Sequence, residues 1–111
     1  MTAGSELIAL SAREIVGMLR SGVITPLDLL DSLESRIAQV EPQVNALPTL
    51  CLERARKAAK ALMQQAPDAR GPLAGLPVPI KDLTDVAGVR STQGSLVYAD
   101  HIPETSSPLV L

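Results

Sequence analysis

The sequence predicts an α/β chain in which helices come first and short strands follow. Helix caps and apolar residues at helical spacing recur up to about residue 65. Residues 72–105 are expected to hold strands and loops, and the branched apolar run at 76–81 is typical of a short buried strand. Only 1% of the 111 residues are aromatic, which predicts a thin core because aromatic side chains usually supply much of the buried area. The chain is therefore expected to be one portion of something larger.

The first helix is predicted over about residues 12–21. Ser11 and Glu14 form a capping box, in which the hydroxyl accepts a backbone N–H and the carboxylate bonds back to the N–H of Ser11. Gly22 is expected to end the helix, because glycine adopts a positive φ without strain. Four apolar side chains share one face: Ala12, Ile15, Val16 and Leu19.

Two more helices are predicted, over about residues 26–41 and 49–65. Thr25 is the expected N-cap of the second helix, Pro26 suits its first position, and Pro42 is expected to end it. Each helix has an apolar stripe: Leu30, Leu33, Ile37 and Val40 in the second, and Leu52, Ala55, Ala59 and Leu62 in the third.

The composition excludes several classes of protein. With 46% hydrophobic and 20% charged residues the chain is globular rather than disordered, and its net charge of −2 gives no electrostatic footprint for nucleic acid. The apolar stretches are far shorter than the roughly 18 residues that span a bilayer, and Met1–Leu10 lacks the features of a secretory signal. One cysteine fits a reducing compartment. We therefore expect a cytoplasmic protein with no membrane and no nucleic-acid partner.

Lys81 is the candidate catalytic residue, because it directly ends the apolar run. A strand end of this kind would bring the ammonium group towards a low-dielectric interior, where its pKa falls and the neutral amine can act as a general base towards a nearby hydroxyl. The alternative is that Lys81 extends its charged head into water. Asp82 would favour the charged lysine if the two paired, but neighbouring side chains on a strand point to opposite faces.

Other reactive residue types are weaker candidates. Cys51 lies in the third predicted helix and is expected to be a buried small apolar residue; a dyad with His101 stays open, although nothing in the sequence supports it. The glycines form no nucleotide-binding loop, and one cysteine with one histidine cannot make a zinc site alone. Four serines are nucleophile candidates by residue type only: Ser91, Ser95, Ser106 and Ser107.

Residues 71–95 resemble the lysine-bearing segment of the amidase signature family. They contain a Gly-hydrophobic-Pro turn at Gly75–Pro77, a segment ending in Lys81-Asp82, and the tail Gly88–Ser95. Taken together these elements are specific, whereas the Lys-Asp pair alone would carry little weight. Upstream segments are also similar to the family's N-terminal helices and the link between them: Leu10–Ile15, Ile24–Pro26 and Val44–Ala46.

The resemblance implies an α/β enzyme with a mixed sheet flanked by helices. Such an enzyme hydrolyses the C–N bond of a small-molecule carboxamide through a Ser–cis-Ser–Lys triad. Lys81 matches the triad lysine, which takes a proton relayed through the cis-serine from the nucleophilic serine. An acyl-enzyme then forms and is hydrolysed, so the resemblance implies no cofactor and no metal.

The family's two triad serines, its oxyanion-hole glycines and its substrate pocket all lie beyond position 111. The serine roles are therefore not carried over to serines of this chain. Residues 1–111 are interpreted as a partial N-terminal portion of an amidase domain, truncated at Leu111. The chain alone is expected to be inactive and to need the remainder of the domain.

Two other functions stay open from the sequence. The chain could be a non-catalytic helical interaction module or one piece of a split enzyme, with apolar helix faces that bind a partner chain. Within the family, it could belong to an amidotransferase subunit that hydrolyses glutamine. Nothing in residues 1–111 separates that possibility from a general amidase.

Overall fold

The computed structural model describes residues 3–111, with side chains from residue 6 onward. Four α-helices are present there: α1 (Ala3–Ile8), α2 (Ala12–Ser21), α3 (Pro26–Val44) and α4 (Leu52–Leu62). Two single 3₁₀ turns follow, at Pro67–Ala69 and Leu96–Tyr98. The chain divides into a helical unit, which runs to Asn45 and resumes at Leu52–Pro77, and a loop unit made of Ala46–Cys51 and Val78–Leu111.

The caps of α2 confirm the prediction at both ends. The N–H of Glu14 donates to the Ser11 hydroxyl at 3.2 Å, and the N–H of Ser11 donates to the Glu14 carboxylate at 2.8 Å. Gly22 follows the helix with φ 77°. Such local hydrogen bonds can be recognised in sequence because they depend on residues only a few positions apart.

Helix α3 begins after its predicted N-cap, Thr25, but does not end at Pro42, so the predicted end was wrong. Thr25 and Asp28 exchange cap hydrogen bonds of 2.8 and 3.1 Å. Proline lacks one donor, but in the last turn this removes only a single helical hydrogen bond. The helix ends at Asn45, whose φ is 51° and whose N–H donates to the carbonyl of Glu41 at 2.8 Å.

Helix α4 is shorter than predicted, and α1 was not predicted at all. The residues expected to open α4 belong to the loop unit, while Met63–Gln65 close it with turn hydrogen bonds of 3.0–3.2 Å. Helix α1 has only six residues, too few to show a periodic apolar pattern. It contacts α3, and its Leu7 packs against the core.

The core of the helical unit forms where α2, the start of α3 and the segment before Gly75 meet. Leu19 is completely buried, as its position on the predicted stripe requires. The other members of this buried cluster are Ile15, Ile24, Leu29 and Ala74. On the surface, Arg56 of α4 forms ion pairs with Asp31 (2.8 Å) and Glu34 of α3, which join these two helices.

The strand predicted over residues 76–81 is not formed, and no strand occurs within residues 3–111. Val78 and Ile80 are 52% and 44% exposed, rather than buried. A strand needs a neighbouring strand to pair its N–H and C=O groups, and no segment between residues 3 and 111 supplies one to this run. The helical part of the α/β prediction is thus seen, whereas the mixed sheet stays a prediction.

Gly75 should tolerate no side chain. Its φ is 105°, and an added Cβ would lie 2.5 Å from Cγ of the fully buried Pro26 and 3.2 Å from Cδ2 of Leu62. Gly75→Ala is therefore expected to lower the free energy of unfolding in urea by about 1–3 kcal/mol.

Gly17 of α2 is the matched control, because an added Cβ there meets no atom within 4 Å. Gly17→Ala should raise the free energy of unfolding by about 0.5–1 kcal/mol, the usual gain when alanine replaces glycine within a helix. Equal stabilities for the two variants would contradict this account of the Gly75 turn.

Candidate active site around Lys81

The loop unit is held by backbone hydrogen bonds between two segments that run in opposite directions. The N–H of Ser91 donates to the carbonyl of His101, and that of Gly88 donates to the carbonyl of Pro103, both at 2.9 Å. Further along, the N–H of Ser107 donates to the carbonyl of Asp85, also at 2.9 Å. These contacts give residues 85–91 and 101–107 a fixed register without forming a regular ladder.

A tight turn at the end of this pairing positions Thr92. Gln93 and Gly94 both have positive φ, 56° and 69°, as in a type I′ turn, and the N–H of Ser95 donates to the carbonyl of Thr92 at 2.9 Å. Thr92 and its neighbour Ser91 are 8% and 3% exposed. The turn therefore carries a buried hydroxyl, which must find a hydrogen-bond partner.

That partner is Asp82, and we call the contacts between Asp82 and residues 92–93 the Asp82–Thr92 clamp. The N–H of Thr92 donates to Oδ1 of Asp82 at 2.8 Å, and its hydroxyl donates to Oδ2. The N–H of Gln93 donates to the backbone carbonyl of Asp82 at 3.1 Å. The Thr92 hydroxyl also accepts the N–H of Gly94 at 3.2 Å, so both of its functions are used.

The clamp keeps Asp82 ionised. The hydrogen bond from the Thr92 hydroxyl is the largest effect that lowers the pKa of this carboxyl group, followed by the hydrogen bond from the Thr92 N–H. The positive charge of Arg90 and the N–H of Gly94 lower it further, whereas burial opposes them. Arg90 is itself held by the carbonyl of Ala99 and, at 3.2 Å, by the hydroxyl of Thr49.

Lys81 has a fixed backbone and a free amine. Its carbonyl accepts the N–H of Thr84 at 2.9 Å, and the next residue is held by the clamp. Its side chain is exposed, whereas the apolar run that precedes Lys81 predicts that it is buried. Among the described residues, Nζ makes no hydrogen bond or ion pair, including with Asp82.

Cys51 and His101 do not form a dyad. Cys51 is exposed and precedes α4, so the prediction of a buried helical cysteine was wrong. It lies in the loop unit, where the core that would bury it is absent from the described part of the chain. The ring of His101 packs edge-on against Tyr98, with centroids 5.8 Å apart, and no hydrogen bond joins it to Cys51.

The four serines considered as nucleophiles are engaged by nearby backbone, and none contacts Lys81. Ser91 donates to the carbonyl of Val89 at 3.1 Å. The other three hydroxyls accept backbone N–H groups: Ser95 from Val97, Ser106 from Ala87 and Ser107 from Leu109, at 3.2, 2.9 and 3.4 Å. Each hydroxyl is hydrogen-bonded to backbone rather than to Lys81, so a nucleophile for Lys81 is not found among them.

The described residues also contain no cluster of three or more His, Cys, Asp or Glu side chains suited to a metal ion. None of their helices has the length and apolar character needed to cross a membrane. The reactive group of the site is the primary amine of Lys81, whose carbonyl is hydrogen-bonded to the N–H of Thr84.

Sequence reasoning singled out Lys81 as a candidate but did not single out Thr92 or Arg90, which act on the neighbouring carboxylate of Asp82. The available signal was Gly94, because glycine suits the second positive-φ position of a hairpin turn, whereas glutamine is not typical of the first. Once a turn is placed there, Thr92 becomes the residue that leads into it. Its pairing with Asp82, ten positions earlier, depends on the fold and has no local signature.

Removing the Thr92 hydroxyl should raise the pKa of Asp82. Threonine and valine have nearly the same shape, so Thr92→Val deletes the strongest hydrogen bond to the carboxylate and leaves the turn. Carbon-13 NMR of the Asp82 carboxyl against pH should show a higher midpoint than in the unmodified chain. Since the folded-state pKa is lowered, the clamp stabilises the fold at neutral pH, and this contribution is lost as the pH falls through that pKa.

Thr105→Val is the matched control for this titration, because Thr105 is exposed and lies outside the clamp. It should leave the Asp82 midpoint unchanged. If Thr92→Val also left it unchanged, the clamp would not be what lowers the pKa of Asp82.

Comparison with known proteins shows the family to which this sequence belongs. The sequence matches the Amidase family over residues 28–111. The glutamyl-tRNA(Gln) amidotransferase A subunit of Roseiflexus sp. (strain RS-1) is 40% identical over 104 residues, which cover 93% of this chain and 21% of the relative. The corresponding proteins of Carboxydothermus hydrogenoformans and Desulforamulus reducens are each 34% identical over 107 residues, or 95% of this chain and 22% of theirs. The chain thus spans about a fifth of the length of these relatives. Because the family match covers most of the chain, including Lys81 and the clamp, this protein belongs to the Amidase family.

Proposed function

We propose that this chain supplies the catalytic lysine of an amidase that hydrolyses carboxamide C–N bonds. One observation carries the proposal: Lys81 presents a free amine on a fixed backbone, while the adjacent carboxylate is bound by Thr92. A general base must be able to lose its proton, and an ion pair with Asp82 would oppose that. Membership of the Amidase family supports the same assignment.

In the proposed reaction, the neutral amine of Lys81 takes a proton that the nucleophilic serine releases through a cis-serine. The serine oxygen bonds to the amide carbon, and the C–N bond breaks as the leaving nitrogen receives the proton. Water then hydrolyses the acyl-enzyme and regenerates the serine. Both serines would come from outside residues 1–111, and no step requires a metal or a cofactor.

The remainder of an amidase domain is the partner that we propose for this chain. In the loop unit, several large apolar side chains are almost fully exposed: Leu96 at 94%, Val97 at 85% and Leu109 at 86%. Exposed apolar groups of this size favour association. A domain remainder that also buried Lys81 would remove its amine from water, and an amine removed from water loses its proton more readily.

An amidotransferase component is the second candidate, favoured by the names of the relatives. All of those compared above are glutamyl-tRNA(Gln) amidotransferase proteins. On this proposal the substrate amide is the side chain of glutamine, and the protein acts beside other subunits. The expectation that this chain itself contacts no nucleic acid stays a prediction, as does its cytoplasmic location, which the single free cysteine supports.

Lys81→Ala should abolish amide hydrolysis. The enzyme for this test is a chimera of the Roseiflexus relative, assembled with its other subunits, in which residues 8–111 of this chain replace the matching segment. Release of ammonia from glutamine and from propionamide measures the two candidate activities. Loss of a general base is expected to lower kcat by at least about 100-fold, and Lys81→Arg should not restore it because a guanidinium stays protonated.

Lys60→Ala removes an exposed cation from α4 and serves as the control that should keep full activity. Near-unmodified turnover by the Lys81→Arg chimera would show that Lys81 is not the base. A preference for glutamine over propionamide would favour the amidotransferase, and the reverse would favour a general amidase.

A further inference from the structure

We infer that the Asp82–Thr92 clamp is the positioning device of the Lys81 amine, so that Asp82 and Thr92 act on the reaction through the backbone of Lys81. This inference rests on the proposed function and deepens it. Neither residue is proposed to touch the substrate, and both are therefore positioning residues. The clamp would set where the amine can reach and prevent the nearest anion from pairing with it.

The positioning follows from hydrogen bonds on both sides of the peptide that joins Lys81 to Asp82. On one side, the Lys81 carbonyl accepts the N–H of Thr84 at 2.9 Å. On the other, the carbonyl of Asp82 accepts the N–H of Gln93 at 3.1 Å, and its side chain accepts two hydrogen bonds from Thr92. The backbone on the C-terminal side of the Lys81 Cα is thus held in place, which restricts the region that its amine can reach.

The second effect is electrostatic. A carboxylate beside a lysine stabilises the ammonium form and so weakens the lysine as a base. Here both oxygens of Asp82 accept hydrogen bonds from Thr92, and Arg90 supplies the compensating positive charge. The next carboxylate along the chain, Asp85, is likewise engaged, since its Oδ1 accepts the side-chain amide of Gln93 at 3.3 Å.

The clamp also explains why a hydroxyl is needed at position 92. The oxygen must donate to Asp82 and accept from Gly94 at the same time, which only a side chain with a β-hydroxyl can do from this position. Serine has the same group, whereas valine keeps the shape without it. The pair of substitutions Thr92→Ser and Thr92→Val therefore separates hydrogen bonding from packing.

The test uses the Roseiflexus chimera described above, with glutamine and propionamide as substrates. Thr92→Val should lower kcat by roughly 10- to 100-fold, the cost of a catalytic group misplaced by about 1 Å, and leave KM within about twofold. Thr92→Ser should restore most of the activity, and Thr105→Val should not change it. The rising limb of kcat/KM with pH should move to higher pH in Thr92→Val, because the released Asp82 can then pair with Lys81 and favour its charged form.

Unchanged kcat and an unchanged pH limb in a folded Thr92→Val chimera would overturn the clamp inference, whereas the proposed function would still stand if Lys81→Ala were inactive. Activity in Lys81→Ala would instead overturn the proposed function itself. Should Thr92→Val fail to fold, amide exchange in the unmodified 111-residue chain decides the matter. The N–H groups of Thr92 and Gln93 should be protected there, and exchange as fast as in an exposed turn would refute the clamp.

Discussion

The hydroxyl of Thr92 bound to the carboxylate of Asp82 is the interaction on which the organisation of the loop unit depends. It connects the segment that carries Lys81 to a turn ten residues later, and it is made by a side chain that is only 8% exposed. An isolated polar group at that depth would be costly, but here its donor and acceptor functions are both satisfied. Without Thr92, the Asp82 carboxylate would lose its two strongest hydrogen bonds. The hydrogen bond from the N–H of Thr84 to the carbonyl of Lys81 does not involve Thr92.

The two units bury different kinds of side chain. The helical unit buries aliphatic side chains such as Leu19 and Leu29 and exposes most of its charged side chains, as expected for amphipathic helices. The loop unit buries Ser91 and Thr92 and leaves Leu96 and Val97 almost fully exposed. Its described residues are held mainly by hydrogen bonds, so its apolar surface stabilises nothing within the unit. Such a surface is consistent with a chain that spans about a fifth of the length of its relatives.

The predictable part of the fold was the part determined locally. The capping box at Ser11, the N-cap at Thr25 and the end of α2 at Gly22 each depend on residues within one helical turn, and all three were identified from sequence. The errors concern features that depend on distant partners. Cys51 was assigned to a buried helix face, and residues 76–81 were assigned to a strand, because their composition suits burial; burial, however, requires a surface to pack against. The catalytic assignment of Lys81 came from the apolar run that it ends and from resemblance to a family motif, and it is tested only by experiment.

The separation of Lys81 from Asp82 does not depend on whether a strand forms. The sequence argument relied on the alternation of side chains along a strand, which would point the two residues to opposite faces. Among the described residues no strand is present, yet the same separation results because Thr92 captures the carboxylate. If residues 76–81 pair with a strand in a longer chain, the alternation of side chains along that strand and the hydrogen bonds from Thr92 would both keep Asp82 away from Lys81. With or without the strand, the Lys81 amine is not paired with Asp82. Its protonation is then decided by the residues of the longer chain that pack around it.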